Sequence, residues 1–221
     1  MSSIREQKKA LVEEMMRETI REAAIRVIRE NGWQGTTMSK IAKAAGVSKG
    51  TLYNYFEGKL DMLVFVGDPP AKELMAQLRE VRESTLSPTE KMEAIFRVMI
   101  RHLDTNRKIT ACFVDAHMND TEARDYLHKH MHCSPWHLFL EIIQETVQKG
   151  VEEGIFYPLH PAVTACLFQH NFFLLSKLLA EQGKPYHHVP FDTIAEEDIV
   201  NTFKQLLLNG LIRANKEALQ L

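Results

Sequence analysis

Three observations on this 221-residue chain predict an all-α fold. Apolar residues recur at helical spacing over long windows, as in Leu11, Met15, Ile20, Ala24, Val27 and Ile28. No stretch keeps the period-two alternation of a strand. Helix stop and start residues punctuate the windows at Asn31-Gly32, at Gly46 followed by Ser48, and at Ser87-Pro88-Thr89-Glu90. The apolar share of 45% is that of an ordinary globular protein. The length suits one large domain or two small ones.

Residues 4–31 read as one long helix ended by Asn31-Gly32, with Trp33 in the following turn. Thr37 is a good N-cap for the next helix, because its hydroxyl can accept from an orphan amide of the first turn. Ile41, Ala42 and Ala45 give that helix its apolar stripe, and Gly46 supplies the left-handed residue that ends it. Val47 drops into the core, and Ser48 caps a second short helix. Leu52 and Phe56, four apart, share its buried face. Its polar residues therefore occupy the opposite face, which suits a DNA major groove. This is a helix-turn-helix with the second helix as reader. Lys49, Gly50, Thr51 and Asn54 are assigned to the groove, glycine because it lets the backbone come close to a base edge.

A fourth helix starts near Gly58. Gly67-Asp68-Pro69-Pro70 is expected to break it, since a proline removes an amide and clashes with the preceding turn. That break sets the expected boundary, with a head of residues 1–67 and a body of 68–221. Further helices are expected over about 87–104, 106–118, 121–133, 136–150, 161–182 and 196–218, with a loop at 183–195. The fold class is thus an N-terminal helix-turn-helix three-helix head followed by a C-terminal helical bundle.

The string Ser48-Lys-Gly-Thr-Leu-Tyr-Asn-Tyr-Phe56, with Lys59 and Leu63, resembles the DNA-binding head of the TetR family of bacterial transcriptional regulators. Thr36-Thr37, Ile41-Ala42 and Ala45-Gly46-Val47 match it too. The resemblance covers roughly Met16 to Leu63. It implies that Thr37, Tyr53, Tyr55 and Lys59 stand at phosphate-contacting positions, with Thr36 and Ser48 in the same DNA-binding set. It also implies that the last two long helices pair with their copies in a homodimer, through Phe168, Phe172, Leu175, Leu179, Phe203, Leu207 and Leu211. A single reader covers half a site, so a two-fold dimer is needed for a palindrome. Gly67–Pro70 departs from the family, whose fourth helix usually runs on unbroken.

Charge distribution agrees with this reading. The net charge is -2, yet residues 1–60 carry eleven basic against seven acidic side chains, +4, leaving -6 on the remainder. A basic head on an acidic body fits phosphate binding at one end. Three widely spaced cysteines, Cys112, Cys133 and Cys166, point to free thiols in a reducing cytoplasm. The charged N-terminus has no apolar core of a signal peptide behind it. No apolar run approaches the roughly 18 residues of a membrane span, so no membrane partner is expected.

The body offers candidates for a ligand pocket. His102 follows Ile95 and Met99 on one stripe, His117 follows Phe113, and His170 lies between Cys166 and Phe173. With Trp136 and Phe139 these are polar tips on apolar faces, as in a pocket inside a helical bundle. His128 and His132 share a helix face as two metal ligands could, but solvated histidines account for them more simply, and no metal or other cofactor is expected. No GxSxG, phosphate loop or dinucleotide-binding glycine set is present, which argues against an enzyme. The expected function is a homodimeric, ligand-responsive repressor released from operator DNA by a small apolar or aromatic effector. A metal- or haem-responsive regulator using the body histidines, and a ligand-independent DNA-binding protein, are the alternatives.

Overall fold

The computed structural model describes residues 3–130, 135–180 and 195–212. Among them are helices α1 (Ile4–Gly35), α2 (Met38–Ala45), α3 (Lys49–Tyr53), α4 (Lys59–Glu83), α5 (Pro88–Asn119), α6 (Thr121–His130), α7 (Pro135–Glu152), α8 (Pro161–Ala180) and α9 (Glu196–Asn209). The described residues contain no strand, and one isolated bridge joins Phe156 and Ile212.

The helix limits have local causes. Ser3 and Glu6 form a reciprocal capping box at the start of α1. Gly32, at φ 65°, interrupts α1 where Asn31-Gly32 signals a stop. Ser87 and Glu90 cap each other at the start of α5. Asn106, at φ -120° and ψ 17°, kinks α5 where two separate helices are expected from the sequence.

Two compact units emerge. The first joins the residues up to Pro69 to those from Lys108 through α6. Its core gathers Ile20, Ala24 and Ile28 of α1, Ile41 of α2, Leu52 of α3 and Leu63 of α4, with Ile109, Cys112 and Ala116 of α5 and Leu127 of α6. The second joins Pro70–Arg107 to the described residues after α6. Its core holds Leu78, Met99, Phe139, Ile143, Phe172 and Leu175. The second half of α5 and all of α6, expected in the body, pack into the first unit instead.

The expected break at Gly67-Asp68-Pro69-Pro70 does not occur, and α4 runs through it without a non-helical residue. Packing explains this. Met62, Leu63 and Val66 before the prolines are buried in the first unit, and Leu74, Leu78 and Val81 after them are buried in the second. Each such side chain gains about 1.5–3 kcal/mol on burial, and a helix-interior proline costs about 3 kcal/mol. The anchored flanks outweigh the two prolines. Gly67 has a different role from a hinge: a Cβ there would lie 2.2 Å from the Phe113 ring, which rests against the bare backbone.

By length and composition α8 could cross a membrane, contrary to the expectation that no segment could, but half of its apolar window is buried. Its composition is that of a core helix.

Because α4 already holds a helical path, replacing Pro69 and Pro70 with alanine restores two amide donors without a change of fold. The double variant is expected to be more stable by about 1–3 kcal/mol, at unchanged helical content. Denaturant titration followed by far-UV circular dichroism checks this, and an unchanged or lower midpoint would refute it.

Candidate nucleic-acid interface

α2 and α3 are short, so their placement rests on caps and burial. The Thr37 hydroxyl accepts from the Lys40 amide at 3.3 Å. Gly46, at φ 70°, ends α2 in the left-handed region and sends its amide back to Ala42 and Lys43. The Ser48 hydroxyl accepts from the Thr51 amide at 3.0 Å and lies 2.8 Å from the Thr51 hydroxyl. Leu52 and Phe56 are buried, at 0% and 2% exposure. Ser48, Lys49, Gly50, Tyr53 and Asn54 are consequently exposed, with Thr51 half-buried among them. This row presents a cation, three hydroxyls, an amide side chain and an open stretch of backbone to solvent.

Two residues of the expected DNA-binding set lie elsewhere. Thr36 is buried and its hydroxyl donates to the Gly32 carbonyl at 2.6 Å, closing the turn that ends α1. Lys59 is half-buried, with its ammonium 3.7 Å from the centre of the Trp33 ring. Burial lowers its pKa from the usual lysine value, opposed by nearby Cys112, Asp120 and Asp115. A position in a motif does not reveal that an aromatic face waits beneath it. Tyr55 is half-buried too, under the Arg17 guanidinium at 5.7 Å.

Sequence reasoning missed Arg17 and Arg21. These residues, one turn apart on α1, lay their guanidinium groups over Tyr55, Phe56 and Phe65. They brace the ends of α3 and α4 through cation–π contact. Four-residue spacing on α1 was the only available signal. Lys40 is likewise committed, donating to Asn31 and the Gly35 carbonyl at 2.6 and 2.8 Å.

Residues 20–64 match the sequence profile of bacterial regulatory proteins of the tetR family. The head of this chain is that of a TetR-family regulator. The regulator is 26% identical over 192 residues to an uncharacterised HTH-type transcriptional regulator, YhgD of Bacillus subtilis, covering 87% of this chain and 94% of that one. Its fold resembles the fatty acid degradation regulator FadR from Bacillus halodurans, with a TM-score of 0.67 at 23% identity over 90% of this chain and 97% of the other. It also resembles FadR from Bacillus subtilis in complex with stearoyl-CoA, with a TM-score of 0.64 at 21% identity over 87% and 98%. At such identity the structural likeness is one of fold. The family's activity is transcriptional regulation, and the chain is a regulator rather than an enzyme.

The expected ligand-binding set is divided by the structure. Phe113 and His117 belong to the first unit, and His102, Trp136, Phe139, His170 and Phe173 to the second. Trp136 does meet Phe173 and Phe139 edge-on, at 4.7 and 6.0 Å between centroids, and Phe139 meets Phe172 at 5.5 Å. Rings fill this part of the interior. His170 is exposed, with Nδ1 2.8 Å from the Cys166 carbonyl of its own helix. Burial pushes the His102 pKa down to about 4, so its imidazole stays neutral at pH 7. Cys112 is a buried thiol pushed up to about 11, also by burial.

The expected dimer residues need correcting as well. Phe168, Phe172, Leu175, Leu179 and Leu211 are buried in the core of their own unit, and Phe203 and Leu207 are half-buried against it. α8 is apolar on two sides, and periodicity alone cannot say which side faces inward. The outward side carries Val163, Leu167 and Leu174, at 56%, 58% and 38% exposure, and α9 adds Leu206 at 72%. Among the described residues no group of three metal-ligating side chains assembles. His132 and Cys133 lie outside the described residues.

His102 makes a pH dependence testable. Its charged form is favoured by the unfolded chain, which binds the proton near pH 6.5, while the folded state resists until about pH 4. Stability is therefore fully present above pH 6.5 and lost as pH falls towards 4, by about 2–3 kcal/mol for this one group. The His102→Leu variant should lose correspondingly less between pH 7 and 4.5. Equal acid sensitivity of the two proteins in urea titrations would contradict this.

Proposed function

We propose that the protein is a cytoplasmic homodimeric repressor that leaves its operator when the second unit takes up a small apolar or amphipathic effector. The observation that carries this reading is the pair of outward faces. One is the polar row on α3, and the other is the uncovered apolar row on α8 and α9.

On this reading, Lys49, Gly50, Thr51 and Asn54 meet base edges, and Thr37, Ser48, Tyr53 and Tyr55 contact phosphates. Base contacts set the sequence read, and phosphate contacts set register and most of the affinity. Lys59 acts from behind by holding Trp33. Exposed apolar side chains grouped on a helix face are costly to leave in water, and a two-fold copy would cover them with itself. Val163, Leu167 and Leu174 of α8 with Leu206 of α9 then form the interface, and two readers face a palindrome. The effector favours the conformer whose reader spacing fits the half-sites less well, which is a coupling of two sites through two states. A neighbouring fold is known with stearoyl-CoA bound, which supports an apolar or amphipathic effector class.

Leu167→Asp and Leu206→Asp place charges on exposed positions, so each monomer should fold with unchanged helical content. Sedimentation is expected to show monomers, with operator affinity reduced at least tenfold. A variant pair that still sediments as a dimer places the interface elsewhere.

Lys49→Ala and Thr51→Ala are expected to reduce discrimination between operator and random duplex by about 1–3 kcal/mol per lost base contact. Tyr53→Ala should weaken binding to both about equally. Titrations against specific and random duplexes at fixed salt distinguish these outcomes, and unchanged binding in all three variants would remove α3 from the interface.

A further inference from the structure

A cleft of about 390 Å³ opens in the second unit between α5, the end of α8 and α9. Its floor is apolar, made by buried Phe96 and Leu179 with half-buried Ile100 and Val200. Its rim is basic, made by exposed Arg97 and Arg101 of α5 and Lys204 of α9. Among the described residues none of these three cations makes a side-chain ion pair. Arg97 and Arg101 stand one turn apart, a like-charge pair that is mildly destabilising until an anion joins it. Glu93 and Asp104 stand at the two ends of the α5 wall, and Asp104 is held by Arg107 at 3.2 Å.

This pattern selects a ligand class. The volume lies within the range of small-molecule pockets. The α5 wall from Glu93 to Asp104 spans about 16 Å at the helical rise, with Arg97 and Arg101 near its middle, so an alkyl chain headed there lies across the apolar floor towards Leu179 and Val200. Guanidinium groups bind carboxylates through paired N–H donors. The acids at both ends oppose a head group of several negative charges, so one negative charge is favoured. We propose that the cleft binds a fatty carboxylate, its head on Arg97 and Arg101 and its chain on Phe96, Ile100 and Leu179. As an effector site this deepens the reading above and rests on it; as a binding site it stands on the cleft alone.

Isothermal titration of the full chain with dodecanoate, dodecanol and dodecanoyl-CoA tests the assignment. Dodecanoate is expected to bind at least tenfold more tightly than the other two. The Arg97→Gln/Arg101→Gln variant should weaken dodecanoate at least tenfold while leaving dodecanol within twofold. Ile100→Glu, which puts an anion in the floor, should also weaken dodecanoate at least tenfold. Equal binding of dodecanol, equal binding of dodecanoyl-CoA, or undiminished dodecanoate binding in the double variant would each overturn the proposal. Operator titration separates the two levels. If dodecanoate weakens operator binding in the parent but not in the double variant, the cleft is the effector site. If it binds as expected and operator affinity does not move, the cleft stands and the release reading fails.

Discussion

The burial of Leu52 and Phe56 is the constraint on which the first unit depends. α3 has five residues, far too few to be a stable helix in isolation. It exists because these two side chains enter a core shared with Ile20, Ala24 and Ile41. Everything exposed on α3 inherits its direction from that anchorage. The Ser48 cap and the left-handed Gly46 fix where the helix begins, and the core fixes which way it faces.

A second layer holds this arrangement from the side. Arg17, Arg21 and Lys59 each place a cation over an aromatic ring of the same unit. A basic head is therefore not simply a surface of free charge. Part of its positive charge braces the fold, and Lys40 is spent on carbonyl and amide oxygens. The exposed row around Lys49 is correspondingly narrow. In the second unit, Arg82 of α4 reaches Glu141 and Glu145 of α7, so two acids one turn apart lie across one guanidinium.

Most of the head was legible because its signals are local. Caps, a left-handed glycine and a four-residue apolar pair are readable within a dozen residues, and each appears where expected. What failed depended on partners distant in the chain. The prolines at 69 and 70 carry a strong local signal for a break, and burial on both flanks overrides it. Ile109, Cys112 and Ala116 have helical spacing whichever core they enter, so the sequence could not assign them to the first unit. α8 is apolar around most of its circumference, and the choice between Phe172 inward and Leu167 outward is made by α7 and α9. Thr36 and Lys59 sit at motif positions, but the Gly32 carbonyl and the Trp33 ring claim their polar groups.

The distribution of tryptophan has an optical consequence. The chain has two, and they fall one in each unit. Trp33 is buried with an ammonium 3.7 Å from its ring centre, and Trp136 is half-buried among phenylalanine rings. An adjacent cation and a hydrocarbon surround perturb indole emission differently. The two units thus carry separate intrinsic fluorophores, and the loosening of either can be followed without an added label.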